Sequence, residues 1–170
     1  MKKITVGGRP VLDLPLTPTE IGLEIFAGLG IVCSALAFAA YWPKLPAIIP
    51  THFGATGAPD ATGPKSELIW LLLGNVGIYV LLTVLTRFPQ IYNYPVPITE
   101  SNAEKQYRNA RMIMNYLKAV SVWVLFYTEW QTIQVALGKS SGVGALMLPV
   151  VMIVMIVPLT VFVVRAYRYQ

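Results

Sequence analysis

Four long apolar segments, separated by polar or proline-rich stretches, dominate the hydrophobic pattern of this chain. They are residues 21–42, 68–86, 112–137 and 143–164. A helix needs about 20 mostly apolar residues to cross a bilayer, so each segment is long enough for one transmembrane helix. We therefore predict an all-α fold: residues 17–170 form a single domain, a four-helix transmembrane bundle, and residues 1–16 form a loosely ordered N-terminal arm.

The composition agrees with this pattern. Of the 170 residues, 55% are hydrophobic and 12% are charged, and the mean hydropathy is +0.60. These values are too apolar for a soluble domain of this size. The single cysteine, Cys33, excludes an intrachain disulfide, and its place inside the first segment indicates a packing role. We predict no nucleic-acid partner, because the chain does not present the basic face that such binding needs.

Lysine and arginine residues indicate how the chain is oriented in the membrane. Nine precede the first span, follow the fourth, or lie between the second and third: Lys2, Lys3, Arg9, Arg87, Lys105, Arg108, Arg111, Arg165 and Arg168. The alternate loops hold only Lys44, Lys65 and Lys139. By the positive-inside rule, both termini face the cytoplasm and residues 43–66 face outward. The net charge of +5 then reflects topology and contact with anionic lipid.

The outward loop, residues 45–65, holds the only histidine, His52, and is rich in proline and glycine. Proline fixes φ and lacks an amide donor, whereas glycine permits positive φ. The segment therefore forms neither a continuous helix nor a central strand. We predict a structured outer loop between the first and second helices.

His52, Asp60 and Glu129 admit two interpretations. Glu129 falls near the outer end of the third span, where the loop emerges. One histidine and two carboxylates could hold zinc with an open position for water, as in a metal-assisted hydrolase. In the simpler interpretation, His52 and Asp60 bond to backbone amides, with Asp60 capping a turn before the second helix. The chain lacks His-x-x-x-His and His-Glu-x-x-His spacings, so we predict no catalytic residue, metal or cofactor and keep the hydrolase as the alternative.

The third predicted helix carries a polar stripe along one face. At about 100° per residue, Arg111, Asn115 and Lys118 each lie within about 40° of Glu129 around the helix axis. A charge at the membrane centre costs at least ~2.5 kcal/mol, so this face points into the bundle or a wet cavity. Glu24 of the first span lies at a similar depth to Lys118, and we predict that the two pair. The pair is either structural, which is the simpler interpretation, or part of a polar pathway or ligand site.

Two Ser/Thr-x-x-Glu patterns predict helix starts. Thr17 and Glu20 match a capping box at the start of the first helix. Ser101 and Glu104 repeat the pattern, which predicts that the third helix begins in the cytoplasm before it enters lipid. The prolines of residues 88–98 predict an ordered, non-helical loop between the second and third helices.

The outer loop resembles that of the SdpI-like family of small prokaryotic membrane proteins. The shared pattern is Leu-Pro-x-x-Ile-Pro-x-His-Phe followed by Gly, Asp and Lys. The matching residues are Leu45, Pro46, Ile49, Pro50, His52, Phe53, Gly57, Asp60 and Lys65. The similarity extends through the proline-rich middle loop to Tyr107, Arg111 and Lys118. It implies kinship with proteins that protect the producing cell from a secreted toxin and can hold a repressor at the membrane, although many relatives have no assigned activity.

These observations predict a non-catalytic, multi-pass protein of the prokaryotic plasma membrane with a binding, immunity or sensing role. Its recognition surface would lie on the outward loop. The residues expected to bind ligand or organise the loop are His52, Phe53, Asp60, Lys65 and Glu129. The expected partners are the lipid bilayer and a toxin, another peptide or a lipid at the outer face, and an oligomer is compatible with the sequence.

Overall fold

The computed structural model describes residues 5–170, so Lys2 and Lys3 lie outside the described residues. The helices are α1 (Pro18–Tyr41), α2 (Glu67–Leu85), α3 (Ala103–Ala136) and α4 (Met147–Arg168), with short 3-10 helices at Trp42–Lys44 and Pro89–Ile91. The α3 helix packs against the three other α-helices. It is therefore the central helix of the structure.

Two small antiparallel sheets correct the all-α prediction. Strands β1 (Thr5–Val6) and β2 (Arg9–Pro10) form one, and β3 (Ile48–Phe53) and β4 (Pro59–Pro64) form the other. We call β3, β4 and the turn between them the outer hairpin. Each strand of a two-stranded sheet has one free edge, which tolerates prolines that lack an amide hydrogen. The prolines that predict the absence of a central strand are thus compatible with this hairpin.

Three helical segments are long and apolar enough to cross a membrane: Pro18–Lys44, Glu67–Leu85 and Met147–Arg168, within the part of the chain that the structure describes. They indicate a membrane protein. The third predicted span, residues 112–137 and now part of α3, is not in this set; it carries Lys118 and Glu129, both of which are buried. Large apolar side chains on α1, α2 and α4 are exposed instead, among them Phe26, Trp70 and Ile153. The charges lie inside and the apolar faces point outward, as a bilayer requires.

The first predicted helix start is confirmed. The Thr17 hydroxyl accepts a hydrogen bond from the Glu20 amide at 3.3 Å, and the Thr17 amide donates to Glu20 Oε2 at 2.8 Å. This is the complete capping box, with Pro18 in the first turn.

The third helix begins before the third apolar span, as predicted, but the capping pattern at Ser101 and Glu104 is not formed. The α3 helix begins at Ala103 after Asn102, whose side chain does not cap it. Instead, Asn102 accepts from the Thr99 amide at 2.9 Å and donates to the Pro97 carbonyl at 3.1 Å. Its side chain therefore organises the preceding loop rather than the helix.

The N-terminal arm, residues 5–16 as described, is held against the proline-rich loop and α3. Arg9 donates to the carbonyls of Gln90 at 3.1 Å and Tyr92 at 2.6 Å. The Tyr107 hydroxyl donates to the Pro10 carbonyl at 3.0 Å. These contacts between distant segments replace the loose arm that the sequence predicts.

The loop before α3 is ordered as predicted, but it is not wholly non-helical, because Pro89–Ile91 form a 3-10 helix. The Tyr92 hydroxyl donates to the Leu85 carbonyl at 2.7 Å, and the Tyr94 hydroxyl donates to the Pro89 carbonyl at 2.8 Å. Burial raises the pKa of Tyr92 to about 12 and raises the pKa of Tyr94 as well. Both hydroxyls therefore remain protonated donors at neutral pH.

The α4 helix contains Pro158, and a side chain of α3 compensates for it. Proline lacks the amide hydrogen that would bond the carbonyl four residues earlier, here that of Val154. The Tyr116 hydroxyl donates to this carbonyl at 3.1 Å. Tyr116 thus links α3 to α4 at the point where the α4 backbone has a free acceptor.

Candidate functional site

The outer hairpin is anchored by apolar side chains at its base. Leu45 and Ile49 are buried in a cluster with Leu68 of α2 and Ile133 of α3. The ammonium group of Lys65 lies 4.8 Å from the centre of the Trp42 ring, a cation–π contact. Leu45 and Ile49 therefore fix the base of the hairpin to the ends of α2 and α3.

His52 and Asp60 pair with each other across the hairpin. The His52 Nδ1 and Asp60 Oδ1 atoms are 2.5 Å apart, and the two side chains are 68% and 52% exposed. The expectation that they bond backbone amides is thus wrong, and so is the expectation that Asp60 caps a turn before α2, since Asp60 lies within β4. An exposed pair contributes little stability, so packing rather than charge holds the hairpin.

The tip of the hairpin docks on the α3–α4 loop through backbone contacts. The Val143 amide donates to the Gly57 carbonyl at 2.8 Å, and the Tyr127 hydroxyl donates to the Val143 carbonyl at 2.9 Å. Gly57 has a φ of 80°, and a Cβ there would lie 2.5 Å from the backbone of Gly144. A Cβ on Gly142 would overlap the Gly57 carbonyl. Only glycine lets these two backbone segments come this close.

A cavity of about 550 Å³ opens between the outer hairpin, α3 and α4. We call it the outer cavity. Its wall is mainly apolar and includes Phe53, Val124, Met147, Leu148 and Val151, with His52, Thr51 and Thr128 as polar members. An apolar wall with a few polar groups is typical of sites for amphipathic molecules, and this volume lies within the usual range of ligand sites, about 300–1,000 Å³.

Glu129 does not join His52 and Asp60. It is buried, and one of its carboxylate oxygens accepts a hydrogen bond from the Ser34 hydroxyl of α1. Among residues 5–170, no three His, Cys, Asp or Glu side chains lie close enough together to hold a metal ion. The ligand set expected for a metal-assisted hydrolase is therefore not assembled.

Lys118 contacts Glu24, the pairing that the sequence predicts. The lysine is fully buried and also donates to the Thr83 hydroxyl at 3.1 Å. The Tyr79 hydroxyl donates to Glu24 Oε1 at 2.7 Å. Side chains from α1, α2 and α3 therefore meet in one polar cluster, with each charge facing an opposite charge or a hydroxyl.

Arg111 makes the second ion pair of the stripe, with Glu20. Its guanidinium donates to the two Glu20 carboxylate oxygens at 2.5 and 3.0 Å and to the carbonyls of Leu14 and Pro15 at 2.7 and 2.9 Å. Asn115 donates to the Arg111 carbonyl at 3.1 Å. Glu20 thus serves both as a helix cap and as the partner of Arg111, which ties the N-terminal arm to α3.

A second cavity, of about 430 Å³, lies between the N-terminal arm and this polar stripe. We call it the inner cavity. Its wall includes Glu20, Glu24, Thr83, Arg111 and Asn115, together with Leu14 of the arm. The outer and inner cavities lie near opposite ends of α3, because the outer cavity touches Thr128 and the inner cavity touches Arg111.

Sequence reasoning missed several polar partners on α1 and α2. Ser34 receives no role from the sequence, although it is a polar residue inside an apolar span and contacts Glu129. On α2, Asn75, Tyr79 and Thr83 are four residues apart and so share one helix face. Asn75 donates to the Val122 carbonyl at 3.4 Å. This spacing in an otherwise apolar helix is the signal that identifies the face of α2 turned to α3.

The hairpin region is also the part of the chain that matches a known family. Residues 29–75 match the model of a domain of unknown function (DUF1648). A 114-residue segment is 28% identical to an uncharacterised protein of Archaeoglobus fulgidus and covers 62% of this chain and 62% of that protein. The chain thus spans less than two thirds of that relative. No solved structure matches. These similarities support a domain of unknown function and do not support the assignment to the SdpI-like family.

Proposed function

We propose that this chain is a non-catalytic membrane protein that binds an amphipathic ligand, a peptide or a lipid, in the outer cavity. Immunity to a membrane-active toxin, or sensing of one, is the role that the SdpI-like resemblance adds. The hairpin would form the recognition surface, with His52 and Phe53 toward the ligand and Lys65 holding the hairpin base.

The observation that carries this proposal is the outer cavity itself. It combines a mainly apolar wall with His52, Thr51 and Thr128, so one site offers burial for an apolar group and partners for a polar one. The hairpin is anchored at its base and docked at its tip, and a preorganised site loses less entropy on binding.

The inner cavity is a weaker candidate because its main charges already have partners. Arg111 pairs with Glu20, and Lys118 pairs with Glu24. A ligand there would have to replace buried ion pairs, whose disruption is costly. We therefore assign these pairs a structural role.

Photocrosslinking from the cavity wall tests the proposal. A photoreactive benzoylphenylalanine at Leu148, which lines the outer cavity, should form an adduct with a specific ligand in the membranes of the native host. Val151→Trp should reduce this adduct because the indole fills the cavity. His52→Ala should also reduce it without changing the melting temperature, because His52 is exposed.

The matched control places the same photoreactive group at Leu73 of α2. Leu73 and Leu148 are similarly exposed, at 52% and 55%, but Leu73 lies outside the outer cavity. Mass spectrometry should detect an adduct at Leu148 that is absent at Leu73. Identical adducts at both positions would mean that Leu148 meets only bulk lipid, and the proposed site would be abandoned.

The outward orientation of the hairpin is part of the same proposal. In a Cys33→Ser background, Thr56→Cys at the exposed hairpin tip should react with a membrane-impermeant maleimide on intact cells. Ser101→Cys, an exposed position in the loop before α3, should react only after permeabilisation. The reverse pattern would invert the topology and place the outer cavity on the cytoplasmic side.

A further inference from the structure

A continuous groove along α4 changes from apolar to cationic near the C-terminal end of that helix. Its apolar part, about 360 Å³, lies between α1, α3 and α4 and is lined by Leu23, Met112, Ile113, Val157, Val161 and Phe162 among others. Its cationic part, about 330 Å³, is lined by Lys105, Arg108 and Arg165 together with Tyr169. Asn109, Met112 and Arg165 line both parts, which makes them one groove.

The cationic part has charge without matching internal partners. The side chains of Lys105 and Arg165 are exposed and make no hydrogen bond or ion pair with the described residues. Arg108 is bonded to Glu104 at 3.0 Å, but this pair is itself exposed. The groove therefore keeps an excess positive charge that an external anion can neutralise.

The spacing of the two parts fits a phospholipid. Arg165 lies in the last turn of α4, and Val157 and Val161 lie eight and four residues before it. At 1.5 Å per residue, the apolar wall extends about 12 Å from the charged end toward the middle of the helix. Basic pockets between transmembrane helices bind the headgroups of anionic lipids. The groove offers cations for a phosphate and an apolar surface for the acyl chain attached to it.

We propose that this groove is a binding site for an anionic phospholipid. The phosphate contacts Lys105 and Arg165, and one acyl chain lies along Val157 and Val161. The site is independent of the outer cavity, since it lies on the part of α3 near Asn109 rather than near Thr128. By the positive-inside rule this end of the bundle faces the cytoplasmic leaflet.

Native mass spectrometry of the full chain in detergent tests the proposal with two defined lipids, phosphatidylglycerol and phosphatidylcholine. The wild-type protein should bind phosphatidylglycerol about tenfold more tightly, because its headgroup has a net negative charge, whereas the headgroup of phosphatidylcholine is zwitterionic. Lys105→Gln combined with Arg165→Gln should remove this preference and leave phosphatidylcholine binding unchanged.

A charge-matched control separates a site from general surface attraction. Lys139→Gln combined with Arg168→Gln removes the same charge from residues outside the groove lining and should leave the preference intact. An equal loss in both double variants, or no preference in the wild-type protein, would overturn the proposal. The wild-type comparison decides the matter even if the groove variants do not fold.

Two further experiments distinguish a phospholipid from other occupants of the groove. Glycerol 3-phosphate should not displace phosphatidylglycerol, because it lacks the acyl chain; displacement would point to a soluble phosphate site and overturn the lipid assignment. Val161→Trp should weaken binding of both lipids by filling the apolar part. If this variant instead converts a dimer to a monomer and lipid binding is unchanged, a second copy of the chain covers the groove and the proposal is wrong.

Discussion

The outer hairpin and the N-terminal arm contact opposite halves of α3, but different interactions hold them. The hairpin is fixed by apolar burial at its base and by glycine backbone contacts at its tip. The arm is fixed by side-chain hydrogen bonds: Tyr107 and Arg111 donate to carbonyls of the arm, and Arg9 of the arm donates to carbonyls of the proline-rich loop. Steric changes should therefore disrupt the hairpin, whereas loss of a charged donor should disrupt the arm.

The largest effect is expected for Arg111→Met. Removing the guanidinium leaves Glu20 as an uncompensated buried charge, and breaking a buried pair costs about 3–5 kcal/mol. Unfolding in a common detergent measures the loss. The matched control is Arg108→Met, on the same helix and also paired with a glutamate but exposed, where we expect a change below about 0.5 kcal/mol. Equal effects would show that burial does not separate the two arginines.

Lys118→Met should destabilise the protein by about 2 kcal/mol, because Glu24 loses its counter-charge while one third of its side chain remains exposed. Glu24→Gln in the same chain should restore much of this loss, since the neutral amide needs no counter-charge. The measurement is a double-mutant cycle in detergent. Strictly additive effects would exclude an energetic link between the two residues.

In the outer hairpin, Gly57→Ala should lower the free energy of unfolding by about 1–3 kcal/mol. The added Cβ would overlap the backbone of Gly144, and the φ of this residue is positive. Proteolysis of the hairpin tip should also become faster as the docking contact opens. Gly77→Ala on α2 is the control: a Cβ there meets nothing within 4 Å, and alanine favours a helix. A tolerated Gly57→Ala would contradict the close docking of the tip.

The smallest loss of stability is expected at the contact between α3 and α4, away from both the hairpin and the N-terminal arm. Tyr116→Phe leaves the Val154 carbonyl without its donor and should cost about 1 kcal/mol. In a Pro158→Ala background, the backbone amide at position 158 can bond this carbonyl, so Tyr116→Phe should then cost less. The same loss in both backgrounds would show that Pro158 does not create the need for Tyr116.

The sequence predicts some of these contacts because helical geometry relates distant residues. Lys118 and Glu129 fall on one face of α3 by their spacing, and both are buried. Matching depth then predicts the Lys118–Glu24 pair. The same reasoning fails for Glu129, because its partner Ser34 depends on how α1 is rotated against α3, which spacing within α3 does not determine.

The outer loop shows a different limit. Its prolines and glycines predict a structured loop, and the structure has one, but they do not reveal the pairing of β3 with β4 or of His52 with Asp60. Gly57 contacts Val143 and Gly144 of the α3–α4 loop, which lie 86 and 87 positions later in the chain. Glycine in a loop permits many conformations, so its presence does not indicate which backbone approaches it.

By itself, the sequence determined that this is a membrane protein with long apolar helices and a charged face on α3, because hydrophobic length and helical period are local properties. The tertiary structure alone decided that the hairpin tip rests on the α3–α4 loop, that Ser34 faces Glu129, and that Glu129 lies apart from His52 and Asp60. These outcomes depend on the rotation and approach of separate elements. Such choices follow from packing over the whole bundle, which no single segment of sequence contains.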